Sequence, residues 1–258
     1  MNFGANERES AVTKLDRLLG RQTWNSFGGS TVLDYGCGAG LEAIEVAAAG
    51  ARFVYGLDVQ GHLLQAAREA ALRRGVDERC VFLHAIRDRE RVEELHGKIA
   101  CVYTIDAFEH FDEPELVLED ANRFLLPGGQ LLISFGPPWK HPRGGHMYFF
   151  TGVPWVQLLF AEETVMKVRR IYRSDSAMSY REVEGGLNQM TVSKFLEIVR
   201  RSPFLLENFH LIPVKSLDWL VRNPVTREYF TGIIQCRLTK PAHSSEVTRS
   251  HLINTSGG

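Results

Sequence analysis

Apolar and polar positions change period repeatedly along this chain, and each change marks an element. Residues 7–20 place Val12, Leu15, Leu18 and Leu19 on one face, with Gly20 as a stop, and predict a leading helix. From residue 31 short apolar runs alternate with helical periodicity. Strands are expected at 31–35, 52–58, 80–85, 99–105 and 130–135. Helices are expected at 40–49, 61–74 and 113–125, with a short one in the charged stretch 87–98. In helix 61–74 the inward side should be Leu63, Leu64, Ala67, Ala71 and Leu72. Leu126-Pro-Gly-Gly129 reads as a turn. Strands separated by helices imply a parallel sheet covered on both faces, with ligands at the carboxyl ends of its strands.

The second half is less regular. Residues 137–186 form an insertion after the fifth strand, dense in aromatic and turn-forming residues, with helical pieces at 153–160 and 162–173. Insertions of this length are commonly lids or binding loops. This one is expected to form the acceptor pocket and its cover; an ordinary packed insertion with a small core of its own is the alternative. Lys167, Arg169, Arg170 and Arg173 form a basic run, read as a solvated helix face, with an anionic substrate as the alternative. Residues 187–201 are amphipathic and helical, 203–214 and 229–238 are the last strands, and 218–223 adds a helical turn. Residues 241–258 are polar and rich in Ser and Thr, and are expected to be a disordered tail to one 1–258 domain.

The chemistry concentrates in Thr31-Val-Leu-Asp-Tyr-Gly-Cys-Gly-Ala-Gly40. An apolar strand ends in Asp34, and glycines follow at 36, 38 and 40. Glycine lets the backbone turn sharply and approach a ligand, and the helix behind it offers free N–H groups. A dinucleotide fingerprint, G-x-G-x-x-G, would need glycine at Leu41. The pattern is D-x-G-x-G-x-G instead. The next strand ends in Asp58, where an acid can hold a ribose. This pair of motifs resembles the class I S-adenosylmethionine-dependent methyltransferases. A second stretch carries the same resemblance: Glu109-His110 after the fourth strand, and Arg123 to Gly129 before the fifth.

The resemblance implies a Rossmann-like, seven-stranded, mostly parallel sheet, the last strand running antiparallel between the fifth and sixth. It implies S-adenosylmethionine as cofactor and S-adenosylhomocysteine as product. The cofactor-binding positions would be Asp34, Gly36, Cys37, Gly38, Gly40, Asp58, Val59, Ala85, Ile86 and Ile105. The family's usual acid for the adenine amino group is missing: His84-Ala-Ile-Arg-Asp88 stands there, and Asp88 or backbone groups would have to serve. A leading helix in this fold class either packs beside the cofactor mouth or covers a sheet edge. Some metal-assisted relatives carry E-x-x-E-H where this chain has Asp106, Glu109 and His110; no metal is assigned on that basis.

Methyl transfer is mainly a matter of alignment, but a hydroxyl acceptor also needs a base. His146, His110 and His141 are the candidates, in that order. Loop-shaping hydrogen bonds are the alternative role for His110. His62 and His84 read as solvated or strand-end residues.

The totals narrow the classes. The 258 residues are 44% apolar, enough for a sizeable core, and the net charge is −1. A near-neutral chain gives no basic surface for RNA or DNA, and no apolar run approaches a membrane span of roughly 18 residues. The four cysteines are scattered and the first ten residues are polar, so a cytoplasmic protein is expected. Cys37 reads as a small residue in a tight corner. The expected activity is methyl transfer to O or N of a small-molecule acceptor. Methylation of a protein or nucleic acid, and a module that binds the cofactor without chemistry, are the alternatives.

Overall fold

The computed structural model describes residues 14–20, 23–183, 185–215 and 217–242. The first part of the leading helix and most of the polar tail lie outside them. Helix α1 (14–19) and α2 (Trp24–Phe27) lead into β1 (Thr31–Tyr35), α3 (Leu41–Ala48), β2 (Phe53–Asp58), α4 (Gly61–Arg74), β3 (Cys80–His84) and α5 (Arg89–Glu93). Then come β4 (Ile99–Ile105), a 3₁₀ turn (Phe108–His110), α6 (Pro114–Phe124) and β5 (Leu125–Phe135). The insertion holds α7 (Val156–Leu159) and α8 (Glu162–Arg169). The chain continues through α9 (Val192–Arg201), β6 (Leu205–Pro213), α10 (Asp218–Arg222), α11 (Arg227–Phe230) and β7 (Thr231–Thr239).

The sheet has seven strands in the order β3-β2-β1-β4-β5-β7-β6. Strands β1 to β5 are mutually parallel, and β7 lies antiparallel between β5 and β6. The order reverses at β1, whose neighbours are β2 and β4, so the crevice at their carboxyl ends is the topological switch point.

The period of two along each strand builds two cores. Leu33, Val102, Leu131 and Ile133 enter a cluster with Phe124 of α6 and Phe195 of α9. Their neighbours Val32, Cys101, Tyr103 and Leu132 enter the opposite cluster with Ile44 of α3 and Leu64 of α4. Each large apolar side chain buried this way contributes about 1.5–3 kcal/mol. Helix α4 ends where Gly75, at φ 69°, donates its N–H to the carbonyls of Ala71 and Leu72. Helix α9 starts where the Thr191 side chain accepts the Lys194 N–H.

Three expectations change. Leu72 is 65% exposed, because α4 buries only the stripe Leu64, Ala67 and Ala71. The stretch 126–129 does not end the strand: β5 runs through it, with Gly128 at φ 78° and a register irregularity against β4. Arg169 in the basic run is buried rather than solvated. The insertion has its own cluster of Met147, Val165, Met166, Ala177 and Tyr180, joined by Leu187 just beyond it. No helix among the described residues is long and apolar enough to cross a membrane.

Candidate active site

The glycine turn is fastened to β2. Gly36 N–H and Cys37 N–H both donate to the Leu57 carbonyl, at 2.8 and 3.0 Å. Gly36, Gly38 and Gly40 all have positive φ, at 84°, 50° and 73°, a conformation that L side chains resist. Two of them also lack room: a Cβ on Gly36 would stand 2.8 Å from that of Ala107, and one on Gly40 2.6 Å from Phe82. Gly38 differs, since its nearest neighbour would be Leu63 at 3.9 Å. Its Cα therefore faces open space.

Asp58 completes the cradle. Gly38 N–H donates to its Oδ2 and Gln60 N–H to its Oδ1, both at 2.8 Å. The carboxylate thus ties the turn to the start of α4. Each oxygen keeps a second lone pair that could accept a ribose hydroxyl.

The mouth carries a surplus of acid. Asp34, at the end of β1, is buried, and Oδ2 has no hydrogen-bond partner among the described residues. Burial, then the neighbouring Glu42, hold its carboxyl well above the usual range. Glu109, in the 3₁₀ turn, is also buried with an unpartnered Oε2, and burial pushes it up to about 8. The cation that faces them is Lys14 of α1, 2.7 Å from Glu42 Oε1 and 3.1 Å from Asp106 Oδ2. The leading helix therefore sits at the mouth. Two buried acids, each with one oxygen that has no partner among the described residues, suit a ligand that brings positive charge. A sulfonium with an ammonium group meets that condition, so the residues present fit S-adenosylmethionine.

Other implied cofactor positions are placed unequally. Cys37 and Ile105 are buried, Val59 and Ile86 are exposed at 58% and 72%, and Ala85 follows β3 with its N–H on the Asp58 carbonyl. Burial pushes the Cys37 thiol up, which makes it inert in the corner. Asp88 accepts the His84 N–H at 2.8 Å, and His84 Nδ1 accepts from Ile86 and Arg87. That loop is shaped by its own side chains.

Beyond the 3₁₀ turn the insertion lines most of an open-sided cavity of about 240 Å³. His110 and His146 share its wall with Met147, Phe149 and Leu187. Their rings are 5.7 Å apart, nearly edge to face. His110 Nδ1 lies 2.6 Å from the Gly186 carbonyl oxygen. His146 has φ 55° and a buried Nε2 without a partner among the described residues, and burial lowers its pKa to about 4. His141 is placed apart from this wall. Its Nδ1 accepts the Arg143 N–H at 2.9 Å, so its ring shapes the turn before the cavity. Asp106 pairs with Lys14 and His110 with the Gly186 carbonyl, and no group of three or more possible metal ligands stands among the described residues. Lys14, Glu42 and the Gly186 carbonyl were not foreseen as parts of the site, and no local motif marks them; Arg173 belongs to the basic run for which an anionic substrate was the alternative reading.

Residues 32–129 match the family model described as "Methyltransferase domain". A 27-O-demethylrifamycin SV methyltransferase of Amycolatopsis mediterranei is 32% identical over 127 residues, 49% of this chain and 45% of the relative. A ubiquinone biosynthesis O-methyltransferase of Pseudomonas paraeruginosa is 35% identical over 106 residues, 41% of this chain and 44% of the relative. The chain thus spans less than half the length of these curated relatives. Among solved structures, an S-adenosylmethionine-dependent methyltransferase from Mesorhizobium loti superposes with a TM-score of 0.54 at 18% identity. That match covers 92% of this chain and 99% of the other, and concerns the fold.

Proposed function

We infer, from a chain that carries a class I S-adenosylmethionine-dependent methyltransferase domain, that it methylates an oxygen of a small molecule held beneath the insertion. The observation that carries this reading is the cavity whose wall includes His110, immediately beyond the 3₁₀ turn that abuts the glycine cradle. The names of the relatives, both methyltransferases and one an O-methyltransferase, support oxygen over nitrogen.

Bound S-adenosylmethionine supplies the methyl group and a thioether leaving group for an in-line displacement. Asp58 would accept the ribose hydroxyls, and Asp34 and Glu109 would face the cationic part. His110 would take the acceptor's proton. A carbonyl can only accept, so the hydrogen shared with Gly186 belongs to Nδ1 and the lone pair to Nε2. The acceptor's hydroxyl proton would pass to that lone pair during the transfer. The insertion, residues 137–186, covers the acceptor and excludes water. His146 borders the same space as a neutral ring, which reverses the expected ranking of the two histidines.

Methyl-labelled cofactor, incubated with the protein and the low-molecular-weight fraction of a cell extract, tests this reading. Label should enter a small molecule, and S-adenosylhomocysteine should accumulate with it. Label found only in protein or RNA, or none transferred, would reject a small-molecule acceptor.

A further inference from the structure

Helix α8 ends at Arg169, and the chain makes one further turn in which Arg173 N–H donates to the Arg169 carbonyl at 3.0 Å. Both side chains line the cavity that holds His110 and His146. Their states differ. Arg169 is 5% exposed and forms a two-pronged ion pair with Asp175. Burying a guanidinium requires such a partner, and the pair presents a fixed wall without net charge. Arg173 is exposed, and no carboxylate among the described residues pairs with it. Its Cζ stands over the Phe149 ring, 4.6 Å from the centroid.

Stacking engages the flat face of a guanidinium and leaves its in-plane N–H fork free. That fork matches the two oxygens of a carboxylate. Besides Arg173 and the histidines the wall includes apolar Met147, Val183 and Leu187. At about 240 Å³ the cavity is smaller than most drug-sized sites, so its occupant is compact. Charge also sets a direction. Arg173, a lining guanidinium without a carboxylate partner among the described residues, attracts an anion to its part of the wall.

We propose that the acceptor is a small hydroxy acid, its carboxylate held by Arg173 at the mouth of the cavity and its hydroxyl directed to His110 and His146. This assignment deepens the methyl-transfer reading and rests on it. It gives Arg173 the role of orienting the acceptor, and it separates specificity from the proton-accepting end.

Two probes of nearly equal shape separate charge from size: 4-hydroxybenzoate and 4-hydroxybenzamide. Each is titrated into the full-length protein saturated with S-adenosylhomocysteine. The benzoate should bind at least about tenfold more tightly than the amide, the scale of one charge-assisted contact. In R173Q that preference should vanish, while R173K, which keeps the charge without the fork, should retain part of it. S-adenosylhomocysteine should bind all three proteins alike, which also reports that the variants fold. Equal binding of the two probes, binding of neither up to about 10 mM, or an undiminished preference in R173Q would overturn the assignment. Failure of S-adenosylhomocysteine itself to bind would instead strike the methyltransferase reading.

Discussion

His110 Nδ1 lies 2.6 Å from the Gly186 carbonyl oxygen, across 76 residues of sequence. This contact fixes the ring's tautomer and orientation, and a base needs both before its basicity matters. Glutamine cannot accept a proton in the same way. H110Q should lower methyl transfer roughly 10²–10⁴-fold, with S-adenosylhomocysteine affinity retained. H146Q should cost much less, since a ring with a pKa near 4 is a weak base. Parallel assays on one acceptor preparation decide between them; equal losses would return His146 to the first rank.

Acid should weaken the insertion before the rest of the fold. His141 and His146 both have folded values near 4, below the ordinary 6.5. Between those values the unfolded chain binds more protons, so stability falls as the pH drops from about 6.5 to about 4. Glu109 acts with the opposite sign over the same range, so the comparison is with H146Q: urea unfolding at pH 7 and pH 4.5 should show that acidification shifts stability less favourably in the wild type than in the variant.

Glu109 has the opposite sign. Its carboxyl is raised from 4.5 to about 8, so the folded chain holds a proton that the unfolded chain has released. Its contribution is fully present below about 4.5 and is lost as the pH rises through about 8. Glutamine mimics the protonated acid. E109Q should therefore leave stability nearly unchanged at pH 4.5 and raise it at pH 8.5, as thermal melts in the two buffers would show.

Gly40 pays twice for any side chain: its φ is 73° and a Cβ would meet Phe82 at 2.6 Å and Ala67 at 2.8 Å. Phe82 and Ala67 both belong to a packed core. G40A should lose about 2–4 kcal/mol of stability, combining left-handed strain and overpacking. A melting temperature within 1 °C of the wild type, roughly what a negligible energy change gives, would count against a tightly built turn.

Local pattern made the sheet and cradle legible. Strands β1 and β4 have the expected bounds, because continuous apolar runs stop at polar or turn residues. The pairing of the glycine turn with Asp58 was readable because both lie at strand ends on neighbouring strands. Contacts between distant segments were not readable. Nothing near His110 points to Gly186, and nothing near Lys14 points to Glu42 or Asp106. The basic run 167–173 misled for a related reason: its spacing could not reveal Asp175 turning back to pair with Arg169. The strand through Leu126 to Gly129 escaped notice because Pro-Gly-Gly is also what a turn requires.

Calorimetric titration with S-adenosylhomocysteine tests the central claim most directly. The wild type should bind one equivalent and should not bind NAD, because Leu41 occupies the place of the third dinucleotide glycine. D58A should bind at least about tenfold more weakly, since two charge-assisted hydrogen bonds, each worth about 1.5–3 kcal/mol, are removed and the Gly38 N–H loses its anchor. Absence of binding to the wild type, or an unchanged affinity in D58A, would contradict the cofactor site described for Gly36 to Gly40 and Asp58.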